Sequence, residues 1–267
     1  MTETYMDLRD LEDEVIDLEN DYHNLDIEIK VSLSQFHGIE LKEYGAMVAR
    51  TALQIAREQA LERSYERFKD SVSAAPHFLP LKDEARGIVC GNALNMDWGD
   101  LVTPSNDLFI FGNPPFVGYD FQTQEQKQEL QKIFGDSYNG LFDYCAAWYY
   151  KAAKFLSGSG ACFAFVSPKS VTQEIQVAFP NIKVGGKDEE NGPCVVEGLF
   201  KPIFDLGWKI SFARPSVLWD NDAAVYFVII GFTENEDKTP RLYSVVEGEE
   251  MNWENGTGFG VLELEKL

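Results

Sequence analysis

The chain has 267 residues, 45% hydrophobic and 13% aromatic, enough for one large domain or two small ones whose core needs no disulfide or metal. No apolar run reaches the ~18–20 residues of a membrane span, and the acidic start is unlike a secretory signal. Of the net charge of −21, residues 1–30 hold eleven acids against two bases and the stretch from Phe232 nine against three, which argues against tight unaided DNA binding but leaves the central surface free for it.

Residues 6–28 have the spacing of an amphipathic helix, with Leu8, Leu11, Val15, Leu18, Tyr22 and Leu25 at three- and four-residue steps. That stripe either packs on the domain or forms a short coiled-coil or partner-binding seam of about three heptads. Gln35–Leu41 reads as a short strand ending in an acid. A helix follows from Glu43 to Phe68, with Ala46, Val48, Ala49, Leu53, Ile55, Ala56 and Ala60 on its apolar side, before Pro76 and Pro80 break the pattern into a loop.

The runs Gly87–Cys90, Leu108–Gly112 and Ala161–Val166 are apolar throughout, as parallel strands covered on both faces are. A helix over Leu141–Leu156 precedes the last run and stops at the turn Ser157–Gly160. Residues 180–198 are polar and glycine-rich, the pattern of an exposed loop. Trp208–Phe212 and Val225–Phe232 are strands close enough in sequence to pair antiparallel. This succession of helices and strands is that of an α/β fold.

Four scattered cysteines (Cys90, Cys145, Cys162, Cys194) without a CxxC pair point to reduced thiols in a cytoplasmic protein. Three histidines (His23, His37, His77), none at metal-ligand spacing, predict no metal site. The chemistry concentrates instead at Asn113-Pro114-Pro115-Phe116, directly after the strand LFIFG. Ligands of open α/β sheets bind beyond the carboxyl ends of the strands. Two consecutive prolines fix φ and remove two backbone donors, so the turn presents carbonyl acceptors. The Asn113 side chain adds an acceptor and Phe116 a flat apolar face, together a socket for a planar amine. Acceptors on the amine hydrogens aim its lone pair outward at an electrophile, so no strong base is required.

DLFIFGNPPF resembles motif IV of the Rossmann-fold amino-methyltransferases that use S-adenosyl-L-methionine, and its NPPF form is similar to that of DNA adenine-N6 methyltransferases. The segments QFHGIEL, GNALNMDW, NPPFVGY, FDYCAAWYYKAAKFL, FAFVSPKSVTQ and ARPSVLW…VYFVIIGF follow one another as in the MmeI-like type IIL/IIG restriction–modification enzymes, over about Thr4 to Tyr243. The resemblance implies a Rossmann-like methyltransferase sheet, mostly parallel with a terminal antiparallel pair. It matches Glu40 to the acid that accepts from the cofactor ribose, and Asn92, with Asp97 as the alternative, to the residue reading the cofactor adenine. Asn113, Pro114 and Pro115 become the catalytic turn, and Phe116 stacks on the target adenine. Trp219 would cover the opposite face of an extruded base, or serve as a core tryptophan. Leu141, Phe142 and Tyr144 either line the cofactor side or belong to an ordinary packed helix.

These enzymes carry a glycine-rich motif I loop, a DPACGSG-like stretch, after their first and central strand. Nothing like it precedes Glu40, and TETYMDLRDLEDEVI resembles the helix that follows it. The glycines of residues 157–160 and 255–260 stand in the wrong context. No PD-ExK nuclease motif or target-recognition domain is apparent, and residues 180–198 look inserted relative to the family. The expectation is a partial methyltransferase catalytic domain over residues 1–243, lacking the first central strand. Residues 244–267 would be an acidic tail or the start of a further domain. DNA would be its partner in the full-length context, together with a chain supplying motif I and target recognition, and activity alone would be small. The other readings are a non-catalytic remnant or interaction module, and another NPP-type methyltransferase acting on protein glutamine or RNA.

Overall fold

A short parallel strand, a long helix and a second short strand form the centre of the first of two units. The computed structural model describes residues 1–23, 29–68, 85–172, 198–218, 226–235, 240–245 and 259–263, divided into Met1–Val102 and Thr103–Leu267. In the first unit, α2 (Glu43–Arg67) crosses from β1 (Gly38–Glu40) to β2 (Ile88–Cys90), and the strands pair in parallel with Glu40 opposite Cys90. Its core gathers Leu33, Phe36, Ala46, Leu53, Ala56, Ala60 and Ile88. Val48 and Ile55, expected on the same side of α2, are exposed. Pro76 and Pro80 lie outside the described residues.

Helix α1 (Thr2–His23) packs on α2, but not through the expected stripe. Leu8, Leu11, Val15 and Leu18 are exposed, whereas Tyr5, Arg9, Asp13 and Ile16 are buried. Tyr5 meets the Phe36 ring edge-on at 5.5 Å. Arg9 donates to Ser64 Oγ at 2.8 Å, Ser64 donates to Asp13 at 2.7 Å, and Arg9 also pairs with Glu12. Arg63 and Arg67 of α2 pair with Asp10 and Asp17. The buried face of α1 is thus one whose charged groups find partners on α2 and within the helix, as buried charges must, since one left wholly unpaired would cost several kcal/mol. The remainder of the expected helix, residues 24–28 with Leu25, lies outside the described residues, as does the side chain of Tyr22.

The second unit is a six-stranded sheet in the order β3-β4-β6-β5-β7-β8. Its strands are β3 (Phe109–Gly112), β4 (Cys162–Pro168), β5 (Lys209–Leu218), β6 (Tyr226–Thr233), β7 (Arg241–Val245) and β8 (Phe259–Glu263). β3 and β4 are parallel, while β6 runs antiparallel to both β4 and β5. The expected antiparallel pairing of the two late strands is therefore present. Pro215 cannot donate to a ladder, and the β5–β6 register slips between Arg214 and Val217 where it stands. β7 is parallel to β5 and antiparallel to β8, so residues 259–263 contribute an outer strand.

Between β3 and β4 run α3 (Gln124–Phe134) and α4 (Ala146–Leu156). Alanines 146, 147, 152 and 153 of α4 are fully buried, along with Tyr149. Tyr149 sits edge-on to Phe165, Phe200 and Phe232, and its hydroxyl contacts the Phe165 carbonyl at 3.1 Å and Ser167 Oγ at 2.6 Å. Trp208, which precedes β5, donates its indole N–H to the Ala153 carbonyl at 3.0 Å. Each buried aromatic contributes on the order of 1.5–3 kcal/mol, with its polar tip satisfied. The turn at Ser157–Gly160, with Gly158 and Gly160 at φ 75°, receives the Glu234 carboxylate on the Gly158 N–H at 2.8 Å. α5 (Phe200–Asp205) follows residues 173–197, which lie outside the described residues together with most of the expected 180–198 loop.

Candidate functional site

Asn113-Pro114-Pro115-Phe116 leaves the end of β3 where Gly112 stands opposite Phe165 of β4. Asn113 and Pro115 are exposed, Pro114 is buried and Phe116 is half-buried. The Pro115 carbonyl accepts from the Val117 N–H at 3.2 Å, closing the turn on itself. The Val117 carbonyl then accepts from the Tyr144 N–H at 2.9 Å, tying the turn to the segment that opens α4. Gln122 adds a second tie, its buried amide donating to the Phe142 carbonyl at 2.7 Å.

Asp143 makes a third tie. It is buried, and it accepts from the Ser170 hydroxyl in the loop after β4 and from the Tyr119 backbone N–H in the loop after β3. Burial raises its carboxyl above the ordinary value, partly offset by those two donors. The neighbouring Tyr144 hydroxyl donates to Glu129 at 2.5 Å, and its ionisation is pushed up by burial and by that carboxylate. The loops after two adjacent parallel strands are thus linked through residues 142–144, and the turn is held by its surroundings as well as by its prolines.

Glu40 and Asn92 come together in the first unit at the carboxyl ends of β1 and β2, where the Gly91 N–H donates to the Glu40 carbonyl at 2.9 Å. Gly45, in the first turn of α2, leaves room for the Glu40 side chain: a Cβ there would lie 2.8 Å from Glu40 Cγ. Glu40 Oε1 accepts from the Lys42 N–H at 3.2 Å. Asn92 Oδ1 accepts from the Leu94 N–H at 2.9 Å, and Asp97 caps the next turn through the Gly99 N–H at 2.9 Å. Both Glu40 and Asn92 are half-buried, whereas Asp97 is exposed.

Leu141 is half-buried. Phe142 is fully buried, with its ring 4.7 Å from that of Phe134 in α3. Trp219 lies outside the described residues. Sequence reasoning missed Gln122, Asp143 and Gly45, as well as α3. For α3 the signal was present: Thr123 and Gln126 form a reciprocal capping box just before the Leu130 and Phe134 anchors. Among the described residues no group of three or more His, Cys, Asp or Glu is placed to hold a metal ion, and no helix is long and apolar enough to cross a membrane.

Residues 1–187 match the family model described as MmeI, DNA-methyltransferase domain. The chain belongs to that family. It is 34% identical over 228 residues to DNA methyltransferase A of Bacillus subtilis (strain 168), an alignment covering 83% of this chain and 23% of the relative. It also superposes on the type IIL restriction–modification enzyme MmeI, solved in complex with DNA, with a TM-score of 0.72 and 29% identity. That likeness covers 99% of this chain and 32% of the neighbour, so the chain spans roughly a quarter to a third of the relatives it matches. The α/β arrangement is accordingly that of the family's methyltransferase domain, as the sequence resemblance implied.

Proposed function

We propose that this chain carries the catalytic part of a DNA methyltransferase of a restriction–modification system, acting on the exocyclic N6 amine of adenine. The observation that carries this reading is the Asn113–Phe116 turn at the end of β3, with Asn113 exposed and the turn tied by Tyr144 and Gln122. The Asn113 side-chain oxygen and the Pro114 carbonyl accept the two amine hydrogens, and Phe116 stacks on the ring. Held this way, the nitrogen keeps its lone pair free to attack, and its proton is lost once the new bond has formed. A base paired inside a duplex offers no such approach, so the adenine is extruded into the turn.

S-adenosyl-L-methionine, when bound, supplies the methyl group. The strand ends of the first unit suit its nucleoside: the Glu40 carboxylate, lying in the space left by Gly45, is a bidentate acceptor for a ribose diol, and Asn92 offers an amide for the adenine edge. Phe142, its ring buried against Phe134 of α3, and half-buried Leu141 are the residues of the second unit that the family resemblance matches to the cofactor side.

The test is tritiated methyl transfer to unmethylated genomic DNA, by this chain and by the same chain extended with the family's glycine-rich loop, followed by digestion to nucleosides. Label in N6-methyladenine that disappears in Asn113→Ala is the expected result. Label in a methylated cytosine, or label that survives Asn113→Ala, overturns the reading.

A further inference from the structure

The most regular apolar repeat of the chain faces away from the unit that contains it. Leu8, Leu11, Val15 and Leu18 of α1 are 42%, 56%, 45% and 62% exposed, and their 3-4-3 spacing is that of a and d positions in successive heptads. The opposite face is already committed, through Arg9 to Ser64 of α2 and through Tyr5 to Phe36. Four large aliphatic side chains aligned on one helix make a continuous apolar strip, unlike the single exposed leucines common on any surface.

The flanks of the strip say what kind of partner fits. With Leu8 taken as a, the g positions are Asp7, Glu14 and Asp21 and the e positions Glu12 and Glu19, acids without exception. Asp7 and Glu14 are exposed beside the strip. Glu12 instead turns toward Arg9 and accepts from the Val31 N–H at 3.1 Å. The only basic residue between Thr2 and His23 apart from the terminal histidine is Arg9, which is buried and paired, so no cation of α1 borders the strip. Two copies of α1 side by side would set acids against acids across the seam, which disfavours self-pairing.

We propose that the exposed face of α1 docks a basic amphipathic helix of a partner polypeptide, with aliphatic residues at its a and d positions and Lys or Arg opposite Asp7 and Glu14. The apolar strip supplies the affinity, and the acidic flanks select the partner and make the contact salt-sensitive. This surface is independent of the catalytic reading: it uses no residue of the turn after β3 or of the β1–β2 ends.

The experiment uses a fluorescent synthetic helix of about three heptads with Leu at a and d and Lys at e and g, titrated with the full chain by anisotropy. A peptide with Glu at e and g, and a scrambled peptide of the same Lys and Leu composition, are run alongside. The Lys heptad peptide is expected to bind at least about tenfold more tightly than either control, and the Leu11→Ser/Leu18→Ser chain to lose about tenfold while keeping every charge. Both substituted positions are exposed, and circular dichroism is the check that the variant folds. Absence of binding, equal binding of the scrambled peptide, or unchanged affinity in the double variant overturns the proposal, since each leaves only general attraction to an acidic chain. Self-association in sedimentation that the double variant abolishes overturns it as well, in favour of a second copy as the occupant.

Discussion

The ends of the parallel pairs β1–β2 and β3–β4 are built by opposite means. Beyond β1 and β2 the useful groups are side chains: Glu40 rests in the space left by Gly45, and Asn92 folds back on the Leu94 N–H. Beyond β3 and β4 one main-chain carbonyl, of Pro114, stands between the Asn113 and Phe116 side chains on a stiff turn, and the stiffness comes from two prolines and from ties to Tyr144 and Gln122. The first arrangement can be retuned by moving one side chain. The second depends on contacts from residues later in the chain, so it fails when a tie is cut.

The largest effect is expected at the exposed tip of the second end. Asn113→Ala removes a proposed acceptor of the amine and should lower methyl transfer about 10²–10³-fold in the tritium assay. Because Asn113 is exposed, its thermal midpoint should stay close to that of the parent. Cutting a tie should instead cost stability: Gln122→Ala takes the amide donor from the buried Phe142 carbonyl, a loss of about 1–3 kcal/mol in urea unfolding. Unchanged stability and unchanged proteolysis of the turn would show that the prolines alone stiffen it.

The first end should behave differently. Gly45→Ala places a methyl group against Glu40 Cγ, so the carboxylate must move. Replacing glycine in an α-helix also gains up to about 1 kcal/mol of helix propensity. The variant should be no less stable, yet bind S-adenosylhomocysteine about tenfold more weakly by calorimetry, ~1.4 kcal/mol. Undiminished affinity would remove Glu40 from the cofactor half and break the comparison.

The smallest effect is one of pH. Burial raises the Asp143 carboxyl, so the folded chain holds more protons than the unfolded one between the ordinary value and the raised one. Stability contributed by this group is therefore greatest in acid and falls as pH climbs through that window. Asp143→Asn has no proton to lose, so its melting temperature relative to the parent should rise from about pH 4 to pH 7. A difference independent of pH would mean that the tie between Ser170 and Tyr119 is insensitive to the charge of the carboxyl.

Legibility in the sequence followed how local the causes were. The strand before Asn113 was evident because an apolar run bounded by turn residues needs no distant partner to be recognised, whereas of the short segment read over Gln35–Leu41 only Gly38–Glu40 is strand. The role of Asp143 was not, since its partners Ser170 and Tyr119 lie on two other loops. Nothing local marks Gly45, and only the position of the Glu40 side chain explains it. Helix α3 was missed because its apolar anchors are few and most of its residues are Gln, Glu and Lys.

Helix α1 marks the boundary most clearly. Periodicity determined that residues near the start form an amphipathic helix, and the chain's own motifs determined its family and the location of the turn proposed to bind an amine. Which face of α1 turns inward was decided only by the tertiary structure. Ser64, far along the chain on α2, joins Arg9 and Asp13 into a network that works in one orientation. Hydrophobic spacing alone favoured the leucines; the structure instead buries Tyr5 and Ile16 together with Arg9 and Asp13, which meet in Ser64 a partner that no local pattern in α1 reveals.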